Sequence, residues 1–297
     1  MKNIVLIANP VSGNGLSVKA AEITQQTLAA KGLNVHISYT QHAGHASQLA
    51  KNFINEFDII VAIGGDGTVN EIASALVNSP AILGIIPTGS GNGLARHLKI
   101  PMNLKSAIKC LYREKVVKID APKVNNEYFF CTAGIGFDAQ VSHSFANMKG
   151  RGFMNYIKAT FLEYFKYRSK NYALYLDTKK KALDAFVITI ANAAQYGNNA
   201  YIAPKAKIND GLLEVTLLPK PSFFDAINFS IRLFTKKIHK HNKVKTLQTE
   251  TIKIDVPTEN GDIYGHKDGE PEIWHLPLEF SLKSNDKLTV IGNTDKL

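Results

Sequence analysis

Three short glycine-rich stretches, each directly after an apolar run and all within the first 93 residues, constrain the fold of this chain more than any other feature. They read Asn9-Pro-Val-Ser-Gly-Asn-Gly15, Gly64-Gly-Asp-Gly-Thr-Val-Asn-Glu71 and Pro87-Thr-Gly-Ser-Gly-Asn-Gly93. An apolar run, a glycine turn and then a helical pattern make a strand–turn–helix, and three in succession call for a parallel sheet covered by helices. The same geometry offers backbone N–H groups to phosphate, so three such turns point to one phosphate site assembled from separated segments. There is no GxxxxGK[ST] stretch and no GxGxxG after the first strand, which argues against a P-loop NTPase and an ordinary dinucleotide fingerprint.

The middle stretch carries the most chemistry. Residues 57–63 read as a buried strand, and Gly64, Gly65 and Gly67 let the backbone turn sharply and approach a charged ligand. A bare carboxylate at Asp66 would repel phosphate, but it fits if Mg²⁺ lies between them, so Asp66 is a Mg²⁺ candidate. Thr68 and Glu71 have capping-box spacing, which predicts a helix over 69–77.

Periodicity predicts strands at 4–8 and 34–39 and helices at about 17–31 and 45–55, with Leu16, Ala20, Ile23 and Ala30 on the buried face of the first helix. From residue 116 strand-like runs dominate, at 116–121, 127–132, 172–177, 185–191, 213–218, 251–256 and 272–276. That pattern suits an antiparallel β-sandwich. The expected organisation is an α/β domain over 1–120 and a larger β-rich domain over 121–284 with helical insertions.

The formal net charge of +10 favours an anionic partner, and nucleic acid would explain the charge but not the loops. No apolar run approaches 18 residues and no signal-peptide pattern precedes the first strand, so the expectation is a cytoplasmic protein, soluble or bound peripherally at the inner membrane surface. Cys110 and Cys131 read as reduced thiols, and the pairs His42/His45 and His239/His241 lack a third ligand, so no zinc is expected. Two segments, 153–167 and 223–244, mix aromatic rings with lysines. Their individual rings are expected in the core, while 223–245 is the better candidate for contact with an anionic membrane surface.

In order and spacing, NPxSG at Asn9, Pro10, Ser12 and Gly13, GGDGTxNE at Gly64–Glu71 and PxGSGNxxAR at Pro87–Arg96 resemble the diacylglycerol kinase catalytic family, which includes bacterial lipid kinases and sphingosine and ceramide kinases. Gly134-Ile-Gly-Phe-Asp-Ala139, Asp210-Gly211 and Asp268-Gly-Glu270 agree with it. The resemblance implies a Rossmann-like first domain of the NAD kinase and phosphofructokinase type, completed by residues 285–297. It also implies ATP bound by Asn9, Pro10, Ser12, Gly13, Thr40, Gly64, Gly65, Asp66, Gly67, Thr68, Asn70 and Ser90 in a cleft between the domains. Glu270 is then the general base, with Asp66, Asp120 and Asp268 in a Mg²⁺ and water network. A structural Mg²⁺ corresponds to Lys207, Asp210 and Leu212, although a plain turn also accounts for Asp210-Gly211. In many bacterial members an acid that joins the metal network follows the asparagine of the third loop; here Gly93 follows Asn92.

Together these features predict an ATP- and Mg²⁺-dependent kinase acting on a hydroxyl of diacylglycerol or a similar lipid. The alternatives are NAD kinase, which shares GGDGT but not the flanking motifs, and a lipid- or nucleotide-binding protein that transfers nothing. The oligomeric state is open, with a homodimer among the options.

Overall fold

The computed structural model describes residues 2–113, 115–148, 153–176, 179–257 and 261–293. The chain divides into two compact units, Met1–Ala121 with Ser284–Leu297, and Pro122–Lys283.

In the first unit, β1 (Asn3–Ala8), α1 (Leu16–Ala29), β2 (Asn34–Tyr39), α2 (His45–Phe53), β3 (Ile59–Gly64), α3 (Asp66–Leu76) and β4 (Ile82–Pro87) alternate. The short α4 (Gly93–His97), α5 (Leu104–Arg113) and β5 (Val116–Asp120) follow. The six-stranded sheet runs β2, β1, β3, β4, the C-terminal strand Lys287–Ile291, then β5. β1 to β4 are mutually parallel, whereas the C-terminal strand lies parallel to β4 and antiparallel to β5. β3 is buried along its whole length, as a central strand covered by helices on both faces must be, and its sequence Ile-Ile-Val-Ala-Ile-Gly is accordingly apolar without alternation.

Two local expectations are corrected. α1 buries Ser17, Ala20, Ala21, Thr24 and Leu28, whereas Leu16 and Ala30 are exposed. Small residues at that 3–4 spacing let the helix approach the sheet closely, so side-chain size outweighs hydrophobicity here. α3 starts at Asp66 and no capping box closes it. Glu71 instead accepts from the backbone N–H groups of Gly44 (2.9 Å) and Ala46 (3.1 Å), capping α2 from a neighbouring helix.

The second unit contains β6 (Lys123–Val124), β7 (Glu127–Tyr128), β8 (Thr132–Gly136), α6 (Phe137–Ala146), α7 (Phe153–Lys166), β9 (Lys170–Leu176), β10 (Lys179–Ala185) and β11 (Val187–Ala191). After these come β12 (Leu213–Leu218), α8 (Phe223–Phe234), β13 (Lys245–Thr249), β14 (Thr251–Asp255), β15 (Asp262–Lys267), β16 (Glu270–His275) and β17 (Leu278–Ser281). Two six-stranded sheets form, β10-β9-β14-β17-β6-β7 and β13-β12-β11-β8-β15-β16. Ile135, Ile188 and Val215 from one sheet and Leu174, Ile254 and Phe280 from the other meet in one core, the packing that defines a sandwich. β10, Lys-Lys-Lys-Ala-Leu-Asp-Ala, escapes a hydrophobic reading because it is an edge strand; lysines there keep its open hydrogen-bonding row from recruiting another chain.

Candidate functional site

The three glycine loops of the first unit follow β1, β3 and β4, which are adjacent parallel strands, so all three emerge at the same C-terminal edge of the sheet. Hydrogen bonds and close backbone contacts fasten them together. The Asn9 side-chain amide donates to Thr68 Oγ1 (3.2 Å), and its carbonyl oxygen accepts from the Val11 N–H (3.2 Å). The hydroxyls of Ser12 and Ser17 lie 3.4 and 2.7 Å from that of Thr88. Gly13 has φ +60°, and a Cβ there would stand 2.5 Å from the Thr88 carbonyl oxygen. A Cβ on Gly89 would stand 2.5 Å from Gly65 Cα, and one on Gly91 2.6 Å from Asp66 Oδ2. Gly13 and Gly89 are required by proximity, because the backbones pass too close there for any side chain, and Gly91 leaves room for the Asp66 carboxylate.

Asp66 is the clamp between the second and third loops. Its Oδ2 accepts from the Asn92 N–H (2.8 Å) and its Oδ1 from the Gly93 N–H (2.7 Å), satisfying the open donors at the start of α4. Gly93 thus participates through its main chain. Arg96, to which the sequence assigned no role, donates from Nε to the Gly91 carbonyl (2.9 Å) and braces the same loop. Thr40 sits at the end of β2, its N–H bonded to the Ala8 carbonyl (3.0 Å), on the same edge of the sheet. Pro10, Asn70, Gly65 and Gly67 are half-buried and Ser90 is exposed, while Gly64 and Thr68 are buried. Asp120 is fully buried at the end of β5 and pairs with the Lys287 ammonium of the C-terminal strand, opposite it in register.

In the second unit Asp268 and Gly269 join β15 to β16, both with positive φ (49° and 89°), as a two-residue hairpin turn of this hand requires. The Asp268 side chain turns inward and is buried. Its carboxylate accepts from three consecutive main-chain N–H groups, Phe130 (2.9 Å), Cys131 (2.7 Å) and Thr132 (3.1 Å). Successive N–H groups converging on one anion form a nest, so Asp268 fastens the hairpin to the start of β8. Glu270, the next residue but one, is exposed. Beside it Lys267 bridges Glu127 and Glu272; burial opposes its charge, but the two carboxylates outweigh burial and hold its pKa above the ordinary lysine value.

Helix α6 holds the same hairpin from the other side. Ser142 Oγ donates to the Gly269 carbonyl (3.3 Å), and His143 Nε2 lies 2.8 Å from the Glu272 carbonyl while its ring stacks on Tyr264. Asp138, the acid of the Gly-Ile-Gly-Phe-Asp motif, has three partners on Oδ2: Thr189 Oγ1 (2.9 Å), Tyr196 Oη (2.9 Å) and His266 Nε2 (3.0 Å). Burial, reinforced by the Asp138 charge, raises the Tyr196 phenol well above its ordinary pKa and keeps it a donor. Gly134 belongs to this arrangement, since a Cβ there would stand 2.9 Å from His266 Nε2. The sequence singled out the motif but not this network, because Thr189, Tyr196 and His266 lie 51 to 128 residues from Asp138 and share no local pattern with it.

Asp210 is exposed in a turn, its carboxylate accepting from the Leu212 N–H (3.1 Å) while its charge adds to the burial that raises the pKa of Glu214. Lys207 and Leu212 flank that turn. Among the described residues no group of three His, Cys, Asp or Glu side chains is arranged to hold a metal ion.

Residues 3–124 match the diacylglycerol kinase catalytic domain, and residues 131–291 match the YegS C-terminal NAD kinase beta sandwich-like domain. A Yersinia pestis protein named "Probable lipid kinase YegS-like" is 28% identical over 284 residues, covering 91% of this chain and 91% of its own. A Synechocystis protein is 29% identical over 268 residues, which are 84% of this chain but only 62% of that longer relative. Two Bacillus anthracis crystal structures share the fold. One has a TM-score of 0.83 at 23% identity, covering 100% of this chain and 97% of that one. The other, a diacylglycerol kinase by its description, has a TM-score of 0.72 at 21% identity, with 100% and 98% covered. With the three loops in place, the chain belongs to the diacylglycerol kinase catalytic family, in the form that carries a YegS-type C-terminal sandwich domain.

Proposed function

We propose that this protein transfers the γ-phosphoryl group of ATP to a hydroxyl of diacylglycerol or a similar lipid, with Mg²⁺ as the accompanying ion. The observation that carries the reading is the convergence of the three glycine loops, whose backbones pass within side-chain distance of one another and leave main-chain donors and small side chains for a polyphosphate.

Mg²⁺ fits the donor set of the first unit. This ion usually keeps several waters and takes only one or two carboxylates besides the phosphates, so a cluster of three protein ligands is not needed. Asp66, the acid at the start of α3 on the sheet edge where the loops converge, would hold it. When bound, the ion offsets the charge that gathers on the transferring phosphoryl group. The remaining work falls to the chain: the loops orient the phosphates, and Glu270 accepts the proton of the attacking hydroxyl. Asp268 and α6 fix the turn from which Glu270 projects.

The test is transfer of label from γ-labelled ATP, with Mg²⁺, to a panel of diacylglycerol, monoacylglycerol, phosphatidylglycerol, sphingoid base and ceramide in mixed micelles, with NAD as a separate acceptor. Label is expected in a lipid, falling by about 10²–10⁴ in Glu270→Gln with ATP binding retained. Label in NAD alone, or in nothing despite ATP binding, would refute the reading.

A further inference from the structure

We propose that helices α7 and α8 form a face of the second unit that docks reversibly on an anionic lipid bilayer. The expectation that the rings of these helices are core residues holds for Tyr164 and Phe229, which pack against buried residues, but is overturned for Phe161, Phe165, Phe223, Phe224 and Phe234 by their exposure. Phe224 is 81% exposed, Phe165 62%, Ile231 58% and Phe161 56%, and α8 has no fully buried residue at all.

The exposed apolar residues are ordered. On α7 they fall at Met154, Ile157, Phe161 and Phe165, and on α8 at Phe224, Ile227, Ile231 and Phe234, each set a stripe at 3–4 spacing along one side of its helix. α8 has a separate inner side, where Phe229 and Leu233 pack against buried residues, so its outer stripe is not needed to attach the helix to the unit. The two stripes meet: Phe223 stacks on Phe165 (6.5 Å between centroids), Phe165 abuts Phe161 (5.2 Å) and Phe224 abuts Phe223 (6.0 Å). A joined patch of this kind is larger than the scattered exposed apolars of an ordinary surface.

Charge identifies the occupant. Segments 153–168 and 220–245 together contain ten Lys and Arg but only Glu163 and Asp225 as acids, so they carry +8 of the chain's formal +10. Asp225 is itself paired with Lys243 (2.5 Å) and caps α8 through Ser222. Apolar stripes flanked by basic residues match a surface whose interior accepts rings and whose headgroups are anionic. A second copy would set +8 against +8, and nucleic acid would gain nothing from Met154, Ile157, Ile227 and Ile231. The docking face gives the proposed lipid substrate a route to the enzyme, but it is measured without nucleotide and stands or falls separately from the kinase reading.

The experiment is co-sedimentation of the full chain with vesicles of phosphatidylcholine alone and of phosphatidylcholine with one-third phosphatidylglycerol, alongside light scattering and thermal melting. Binding is expected to be at least about tenfold tighter to the anionic vesicles and to weaken with salt. Phe165→Ser with Phe224→Ser should lower it by about 100-fold, and Lys237→Glu with Lys240→Glu should remove the preference for anionic lipid, both without changing the melting temperature. Phosphorylation of a short-chain, water-soluble diacylglycerol by these variants should equal that of the parent protein. Equal binding to both vesicles, unchanged binding of the ring variant, or a parent dimer that the ring variant splits would overturn the proposal. Vesicle binding without phosphorylation would uphold docking and sink the kinase reading alone.

Discussion

Replacing Asp268 by Asn separates two explanations of the Asp-Gly-Glu turn. Asn-Gly is a preferred pair for a two-residue hairpin turn and tolerates positive φ, so if residue 268 served only the turn, the change would be neutral or slightly stabilising. The structure predicts a large loss. Oδ1 accepts from Cys131, from Thr132 and, at 3.2 Å, from Phe130, whose N–H also reaches Oδ2 at 2.9 Å. The amide keeps Oδ1 but puts a donor opposite the Phe130 N–H, or, once flipped, opposite the other two. Losing the charge costs the Cys131 and Thr132 bonds about 1 kcal/mol each, and the donor facing the Phe130 N–H, which keeps only its longer bond to Oδ1, costs about 1 kcal/mol more, giving about 3 kcal/mol in all. That is a sizeable share of the stability of any domain. Urea denaturation, followed by Trp274 fluorescence because that residue is buried in the second unit, would measure it. A difference under about 1 kcal/mol between the two proteins would refute the nest argument.

Three further outcomes follow from the same geometry. Gly13→Ala, with positive φ and a Cβ 2.5 Å from the Thr88 carbonyl, should weaken ATP binding at least about tenfold by calorimetry, since it pushes the first loop off the third. Asp66→Asn should lower both ATP binding and transfer by at least about tenfold, because a donor then faces the Asn92 or Gly93 N–H; unchanged affinity would show that the clamp does not order the loop. His97 has its pKa lowered to about 4, by burial first and by Lys99 second. The unfolded chain therefore takes up the extra proton between about pH 6.5 and 4, so this contribution, about 3 kcal/mol, is full above 6.5 and lost as pH falls through that window. His97→Gln should flatten that part of the stability profile measured by urea midpoints at pH 7.5 and 5, and an unchanged profile would refute it.

What could be read from the sequence followed the range of the interactions. The parallel sheet was legible because its central strands β1, β3 and β4 are continuous apolar runs, and the loops because glycine at a close approach leaves an unambiguous mark. Glu71 misled because its spacing suits a local cap, whereas its carboxylate crosses to α2. β10 and β13 were invisible because edge strands bury little and carry lysines. The rings of α7 and α8 were assigned inward because hydrophobicity sets which residues cluster but not which side of a helix meets the protein. The Asp138 network and the nest around Asp268 join residues more than fifty positions apart, and only the folded chain brings them together.

The C-terminal strand lies between β4 and β5, and its Lys287 neutralises the buried Asp120. On a ribosome adding roughly 5–20 residues each second, the first unit therefore has a gap in its sheet, and the end of β5 lacks the Lys287 ammonium, until the whole sandwich has been made. The sandwich is contiguous in sequence and has every strand it needs before that moment. The order of maturation is thus the reverse of the order of synthesis: the nucleotide loops emerge first, but their supporting sheet is closed last. A chain cut short within the sandwich would lack the strand on which both β4 and β5 depend.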